Sequence, residues 1–209
     1  MIIVFANQKG GAGKTTNCLL FANYLAMKNI ETLVLDLDFQ RSIIDRRKED
    51  LELYGNPPLY EVIEASMSEV GKLLEDFGSI DQGNLLIDLP GKVDDDNIIP
   101  ILQNADIIII PFKYDKLTMD STGFFIQLLK HLELKPNVKM FFLPNDINKA
   151  VKYETKDSIQ SILKQHGIVT EEIPSRVALE RVNTLLITDE ALNIIKKPYD
   201  LIIKEGKIK

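Results

Sequence analysis

Short apolar segments alternate with longer amphipathic segments along this 209-residue chain. Most of the short segments are apolar on both faces, as in the run 107–110, and this is typical of parallel strands buried under helices. Strands are expected at 2–6, 32–37, 85–89, 106–112 and 138–143, with weaker candidates at 59–64 and 169–174. Helices are expected at 14–28, 41–53, 66–77, 95–103, 118–132, 149–165 and 189–204. This alternation predicts an α/β fold, with a doubly wound, mainly parallel sheet and helices on both faces.

Composition and charge narrow the class of protein. The chain is 45% hydrophobic and 27% charged, and it has no repeat or long linker, which favours one domain over residues 1–209. Its net charge of −6 argues against a strongly basic nucleic-acid binder. The single cysteine, Cys18, excludes an internal disulfide and a cysteine-rich metal site. Without a signal peptide or an apolar run long enough to span a membrane, the chain is expected to be cytoplasmic.

A glycine-rich loop follows the first expected strand and precedes the first expected helix. Its residues Lys9 to Thr16 read Lys-Gly-Gly-Ala-Gly-Lys-Thr-Thr. Glycines let the backbone approach an anion closely, and the N-terminus of the helix adds partial positive charge at the same place. In such a loop Lys14 reaches the β- and γ-phosphates of a nucleotide, and the Thr15 hydroxyl holds Mg²⁺. A plain turn with a solvated lysine is the weaker interpretation, because a strand and Gly-Lys-Thr-Thr flank the glycines.

Three aspartates close apolar strands after this loop. Asp36 and Asp38 end the second strand, and Asp88 ends the strand at 85–89. Single aspartates at strand ends are usually turn or cap formers, but three of them at the ligand-binding edge of a parallel sheet favour a metal site. Because Mg²⁺ dehydrates reluctantly, one hydroxyl and carboxylates acting through water are the expected ligands: Thr15, Asp36 and Asp88.

The stretch 6–16 resembles the deviant Walker A motif of ParA/MinD-type P-loop ATPases, and it looks closest to the ParA partition branch. Gln8 stands where the standard motif has glycine, and Lys9 supplies a second lysine at the start of the loop. Residues 85–88 are similar to the Walker B pattern. The resemblance is specific over residues 1–45, extends through the Asp88 region, and is thin after about residue 145.

This resemblance implies a Mg²⁺-dependent ATPase with Lys9, Lys14 and Asp38 as its catalytic residues. Asp38 would position the attacking water, and Lys9 would reach the nucleotide of a second subunit, so that ATP holds a homodimer together. Gln40 of the family's second signature is present, whereas Phe39 replaces its usual proline. The implied nucleotide-binding residues are Lys9, Gly10, Gly11, Ala12, Gly13, Lys14, Thr15, Thr16 and Asn145.

The resemblance is less specific in the second half of the chain. Asn145 falls where the family approaches the adenine base, but a plain Pro-Asn-Asp turn is equally compatible with the sequence. Arg176 and Arg181 fall where relatives carry basic residues, some of which bind the DNA backbone, and they are diluted by neighbouring uncharged and acidic residues. Together with the lysines between 196 and 209 they form a weak basic patch, which a dimer would enlarge for nonspecific DNA.

The favoured function is therefore an ATP-dependent dimeric switch for plasmid or chromosome partition, located in the cytoplasm and on the nucleoid if it binds DNA. Since the first strand begins at Ile2, specific DNA recognition is assigned to a ParB-like partner or adaptor. A MinD-like membrane regulator is the alternative, although segment 201–209 is a poor amphipathic anchor and membrane binding is not expected. A positioning ATPase for protein cargo remains equally open. A reductase or metallochaperone is disfavoured because Cys18 has no paired cysteine.

Overall fold

The computed structural model describes residues 1–37, 42–66, 69–78, 83–91 and 97–209. Its strands are β1 (Ile2–Phe5), β2 (Thr32–Asp36), β3 (Glu61–Glu64), β4 (Asn84–Asp88), β5 (Ile107–Phe112), β6 (Lys139–Pro144) and β7 (Ile168–Val169). Its helices are α1 (Lys14–Met27), α2 (Ser42–Tyr54), α3 (Val70–Gly78), α4 (Ile98–Asn104), α5 (Lys116–His131), α6 (Lys156–Leu163), α7 (Val177–Glu180) and α8 (Asp189–Gly206).

The strands form one parallel sheet in the order β3-β2-β4-β1-β5-β6-β7. In the middle of the sheet Phe5 of β1 pairs with Asp88 of β4, and Asp36 of β2 pairs with Asp88 from the other side. The carboxyl ends of β1, β2 and β4 therefore lie side by side, so that the segments leaving these strands share one edge of the sheet. The predicted α/β class and parallel sheet are confirmed.

Two apolar layers cover the sheet. One layer joins α3, α4, α5 and α6 to the face that carries Val4, Ile87 and Ile108. The other joins α1, α2, α7 and α8 to the face that carries Ile3 and Ile109. All five of these strand residues are fully buried. A central parallel strand is apolar throughout because both of its faces are buried. Helices on both faces were predicted, and this prediction is confirmed.

Most elements lie within a few residues of their expected positions, but three regions of the second half differ. The helix expected at 149–165 begins only at Lys156, because Asn148 closes a turn in which its side chain accepts from the Ala150 N–H at 3.0 Å. The strand expected at 169–174 is reduced to β7 and an isolated bridge between Ile147 and Pro174. The short helix α7 was not anticipated, since four residues contain too little periodicity to recognise.

No helix in the described ranges combines the length and the apolar character that a membrane crossing demands.

A buried hydrogen-bond chain connects α8 to the start of α1. The Tyr199 hydroxyl donates to Asn17 Oδ1 at 2.9 Å, and Asn17 Nδ2 donates to the Gly13 carbonyl at 2.7 Å. The Tyr199 ring packs edge-on against Phe21 with a centroid distance of 5.0 Å. Burial raises the pKa of Tyr199 well above its usual value, so the hydroxyl stays protonated and continues to donate. Through this chain the C-terminal helix braces the turn at Gly13.

Replacing Tyr199 by Phe is expected to lower the free energy of unfolding by about 1–3 kcal/mol, because it leaves Asn17 Oδ1 without a donor inside the protein. The measurement is urea unfolding followed by circular dichroism. Tyr24→Phe is the matched control, because its lost partner Asp200 keeps Lys28 at 3.0 Å and is partly exposed. Equal losses for the two variants would contradict the bracing role of Tyr199.

Candidate functional site

The glycine-rich loop leaves β1 and turns directly into α1. Gly11 and Gly13 adopt left-handed φ values of 75° and 95°, which are costly for any residue with a Cβ. Gly13 is the N-cap of α1, and no side chain caps this helix among the residues that the structure describes. Because the first N–H groups of a helix have no partner within the helix itself, this turn provides donors that suit an anion.

The Lys14 side chain is buried against this loop. It is 7% exposed, and its ammonium group donates to the carbonyl of Lys9 at 3.3 Å. Gly91, three residues past the end of β4, comes so close that a Cβ there would lie 3.2 Å from the Gly10 Cα and 3.5 Å from Lys14 Nζ. Gly91 therefore packs directly on the glycine-rich loop. Lys9, at the start of that loop, is only partly buried.

Thr15 and Asp88 meet at the carboxyl ends of β1 and β4. The Thr15 hydroxyl donates to Asp88 Oδ2 at 2.6 Å, and Asp88 is fully buried. A hydroxyl beside a carboxylate is the hard oxygen pair that Mg²⁺ takes from proteins, with water completing the shell. No cluster of three or more His, Cys, Asp or Glu side chains occurs in the described ranges, so a cage made entirely of protein ligands is not formed there. The pair fits a Mg²⁺ ion that also binds phosphates.

Asp36 lies beside this pair but is held by the next helix. Its Oδ2 accepts from the N–H groups of Ile43 at 3.0 Å and Ile44 at 3.2 Å, and the residue is 2% exposed. Asp36 thus satisfies backbone donors at the start of α2, and its role in the metal–water network stays a prediction. Asp38, together with Phe39 and Gln40, lies outside the described residues.

Asn145 follows β6 and reaches the glycine-rich loop. Its Nδ2 donates to the Ala12 carbonyl at 3.1 Å, and its own N–H donates to the Phe112 carbonyl at 2.8 Å. A pocket opens beside it, lined by Gly11, Gly13, Thr16, Lys113, Asn145, Asp146, Pro174, Arg176, Leu179 and Glu180. Since the pocket adjoins the glycine-rich loop and has both polar and apolar walls, it is the candidate site for the nucleoside part of a nucleotide whose phosphates lie at that loop.

Sequence reasoning missed an ion pair in the wall of this pocket. Lys113 lies 2.5 Å from Asp146, whose φ of 56° is left-handed. Burial raises the pKa of Asp146, but hydrogen bonds from Lys113 and Ser175 outweigh it and leave the pKa below its ordinary value. The only signal in the sequence was a polar residue at the end of each of two neighbouring strands, and this does not specify a pair.

Two asparagines that support the loop were also missed. Asn7, which is 1% exposed, donates from Nδ2 to the Pro111 carbonyl at 2.8 Å and to Thr122 Oγ1 at 3.0 Å. Asn17 holds Gly13 as described above. Buried amides of this kind are indistinguishable in sequence from solvated ones, because Pro111 and Thr122, which bind Asn7, and Tyr199, which binds Asn17, lie more than 100 positions away along the chain.

Neighbouring acidic residues reduce the positive charge of the proposed basic surface, which consists of Arg176, Arg181 and the lysines between 196 and 209. Arg176 and Arg181 are both exposed, and Arg176 donates to the neighbouring Ser175 carbonyl at 2.8 Å. Among the C-terminal lysines, Lys197 lies 3.7 Å from Glu171 and Lys204 lies 3.8 Å from Glu205. These acids reduce the local positive potential in a single chain.

Comparison with known proteins agrees with this geometry. Residues 3–185 match the family model of the CobQ/CobB/MinD/ParA nucleotide-binding domain. A curated relative, "Protein ParA" from Rhizobium radiobacter, is 23% identical over 175 residues, which are 83% of this chain and 77% of that protein.

Solved structures show the same fold. A Borrelia burgdorferi B31 protein assigned to plasmid partition and bound to AMPPNP superposes with a TM-score of 0.77, at 21% identity and 98% coverage of both chains. The MinD cell division protein of Aquifex aeolicus superposes with a TM-score of 0.71, at 20% identity and 97% coverage of both chains.

Gly13→Ala is expected to weaken nucleotide binding by about tenfold or more, equal to about 1.4 kcal/mol. The new Cβ would lie 2.2 Å from Asn145 Nδ2, in a residue whose φ is 95°. Binding of a fluorescent ATP analogue is the measurement. Gly55→Ala is the control, because Gly55 has a φ of 65° but nothing within 4 Å of the added Cβ, so that it changes backbone strain alone. Equal affinities for Gly13→Ala and the wild type would contradict the assignment of the loop.

Proposed function

This chain belongs to the CobQ/CobB/MinD/ParA nucleotide-binding domain family, and from that premise we propose that it is a Mg²⁺-dependent ATPase switch of the ParA type. Residues 1–209 act as one ATPase domain that hydrolyses ATP to ADP and phosphate. The observation that carries the proposal is the joining of the glycine-rich loop to the end of β4, through the Thr15–Asp88 hydrogen bond of 2.6 Å. The groups that would donate hydrogen bonds to phosphate and the groups that would bind Mg²⁺ are thereby brought together at one end of the sheet.

Different residues of the chain have different roles in phosphoryl transfer, which depends mainly on positioning and charge stabilisation. The N–H groups of the loop and the Lys14 ammonium group bind the β- and γ-phosphates. Thr15 and Asp88 would hold Mg²⁺, with Asp36 in its water network, and the ion would supply charge neutralisation at the phosphates. Asp38 orients the attacking water. Asn145 and the pocket beside it accommodate the adenosine.

Lys9 acts between subunits. It stands at the start of the loop and is partly exposed, and its carbonyl oxygen accepts from Lys14. In this proposal its ammonium group contributes to the triphosphate of a second subunit, much as an arginine finger does. ATP then holds two chains face to face, and loss of the γ-phosphate releases them.

The cargo of the switch is DNA, through plasmid or chromosome partition or a related form of positioning. A ParB-like partner recognises specific DNA, and Arg176 and Arg181 of both subunits contribute to a nonspecific phosphate-binding surface. Support comes from the relative named Protein ParA, from the likeness to a solved plasmid partition protein, and from the exposure of both arginines.

Membrane attachment through segment 201–209, as in the MinD-like alternative, is less well supported. Ile208 is 6% exposed within the apolar layer that contains α8. The Lys209 carbonyl accepts from Asn84 Nδ2 at 3.0 Å, and Lys139 donates to the carbonyl of Glu205. An amphipathic anchor needs an apolar face that is free to enter lipid, and these residues are already used in the fold.

The two loop lysines are expected to separate binding from association. Lys14→Ala abolishes binding of ATP–Mg²⁺, because the buried cation that faces the β- and γ-phosphates is lost. Lys9→Ala retains binding within about threefold, or about 0.6 kcal/mol, but loses both dimerisation and hydrolysis. Isothermal titration calorimetry and analytical ultracentrifugation provide the measurements. A Lys9→Ala variant that dimerises and hydrolyses ATP like the wild type would contradict the role of Lys9 between subunits.

Asp38→Ala is expected to bind ATP and dimerise, yet to hydrolyse it at least about a hundredfold more slowly, since positioning a nucleophile is worth that much or more. Light scattering should give twice the chain mass of 23.7 kDa with ATP–Mg²⁺ and a single chain mass with ADP. Asp45→Ala, an exposed acid in α2 beside Lys48, is the control and should hydrolyse normally.

Nonspecific duplex DNA, added to the same Asp38→Ala samples, tests the cargo. A dimer that moves onto DNA and leaves it as salt is raised supports the partition-type switch. A dimer that ignores DNA at every salt concentration contradicts the DNA proposal and favours protein cargo.

A further inference from the structure

Helix α2 makes hydrogen bonds to two different parts of the chain. At its start, the N–H groups of Ile43 and Ile44 donate to Asp36, at the end of strand β2 in the candidate site. Two turns further on, its side chains contact a segment more than 130 positions away along the chain, residues 182–186, which we call the 182–186 loop. The helix therefore lies between the metal side of the site and this loop.

The main contact is between Asp50 of α2 and Thr184 of the loop. Asp50 Oδ2 accepts from the Thr184 N–H at 2.7 Å and from the Thr184 hydroxyl at 2.9 Å. Asp50 is 8% exposed and Thr184 is fully buried. A carboxylate at this depth requires its donors, because a buried charge without hydrogen bonds is costly. The contact therefore fixes the loop relative to α2.

Further bonds hold the same loop. The Arg46 guanidinium of α2 donates to the Val182 carbonyl. From α1, Asn23 Nδ2 donates to the Asn183 carbonyl at 2.8 Å. The loop is thus attached to the helix that follows the glycine-rich loop and to the helix that follows the Asp36 strand.

On its other side the loop continues from α7, which forms part of the pocket wall. Arg176, Leu179 and Glu180 line that pocket together with Gly13 and Thr16. A group occupying the pocket therefore contacts α7 directly. From α7 the path to α2 runs through Val182 and Thr184, both of which are buried.

We propose that Asp50 and Thr184 are positioning residues that tie the α7 wall of the pocket to helix α2, so that nucleotide bound against α7 also fixes the start of α2 beside Asp36. The proposal rests on nucleotide occupying the pocket, as proposed above. It requires one rigid helix and one buried charge-assisted contact, which together transmit a displacement because packed elements do not deform continuously.

Hydrogen exchange of the full chain, with and without AMPPNP–Mg²⁺, tests the proposal without requiring hydrolysis. In the wild type the analogue is expected to slow exchange in peptides that cover 8–19, 43–50 and 182–187. In Thr184→Val, which retains the N–H donor but loses the hydroxyl, the slowing at 8–19 stays within about twofold of wild type, whereas the slowing at 43–50 falls to less than about half.

Two further variants keep the result interpretable. Thr184→Ser retains the hydroxyl and is expected to restore the wild-type response at 43–50. Thr188→Val is the control for loss of a threonine hydroxyl nearby, because the Thr188 hydroxyl accepts from the Ala191 N–H at 3.2 Å at the start of α8 and makes no hydrogen bond to α2 within the described ranges. Its response at 43–50 is expected to equal that of the wild type.

The outcomes separate this proposal from the proposed function. No slowing at 8–19 in the wild type overturns nucleotide binding and the positioning role together. Slowing at 8–19 without any change at 43–50 overturns the positioning role alone. So does a Thr184→Val variant whose response at 43–50 equals that of the wild type, or a Thr188→Val variant that loses the response equally.

A kinetic readout gives a second test. If Asp50 and Thr184 act by positioning, Thr184→Val lowers kcat for ATP by about tenfold and changes KM by less than about threefold, since it removes an interaction that matters after binding. A rise in KM with an unchanged kcat would overturn the positioning role, because it would place the contact in binding alone.

Discussion

The parallel register around β1 is the constraint on which the rest of the structure depends. β1 pairs with β4 so that Phe5 faces Asp88, and β2 pairs with β4 so that Asp36 faces the same residue. Because parallel strands all end at one edge, the loop after β1 is brought against the residue that ends β4. The Thr15–Asp88 hydrogen bond follows from this register, and a shift of one residue would turn Asp88 to the other face of the sheet.

Hydrogen bonds between buried polar groups position the helices around this edge. Asp36 receives backbone donors from α2, Asp50 receives both donors of Thr184, and Asn17 is bonded to Gly13 and Tyr199. Each of these contacts satisfies a group that would be costly to bury alone. The apolar layers determine which elements pack together, whereas these hydrogen bonds determine where each helix stands relative to the glycine-rich loop.

Local sequence was sufficient for much of the fold and for the centre of the site. Apolar runs located the strands because a strand buried on both faces has no polar alternation to obscure it. The glycine-rich loop was recognisable because its glycines, Lys14 and Thr15 are consecutive. Asp88 was recognisable because it closes an apolar strand. In contrast, the late start of α6 depended on the turn at Asn148, and α7 was too short to give a pattern.

The sequence by itself determined a parallel α/β fold, a candidate phosphate-binding loop and the acidic strand ends, since each of these depends on neighbouring residues. Only the tertiary structure decided that Gly91 packs on Gly10, that Lys113 pairs with Asp146, and that Asp50 bonds to Thr184. The partners in these contacts lie between 33 and 134 positions apart. No local pattern encodes such pairs, because the packing of whole helices on the sheet sets which side chains meet.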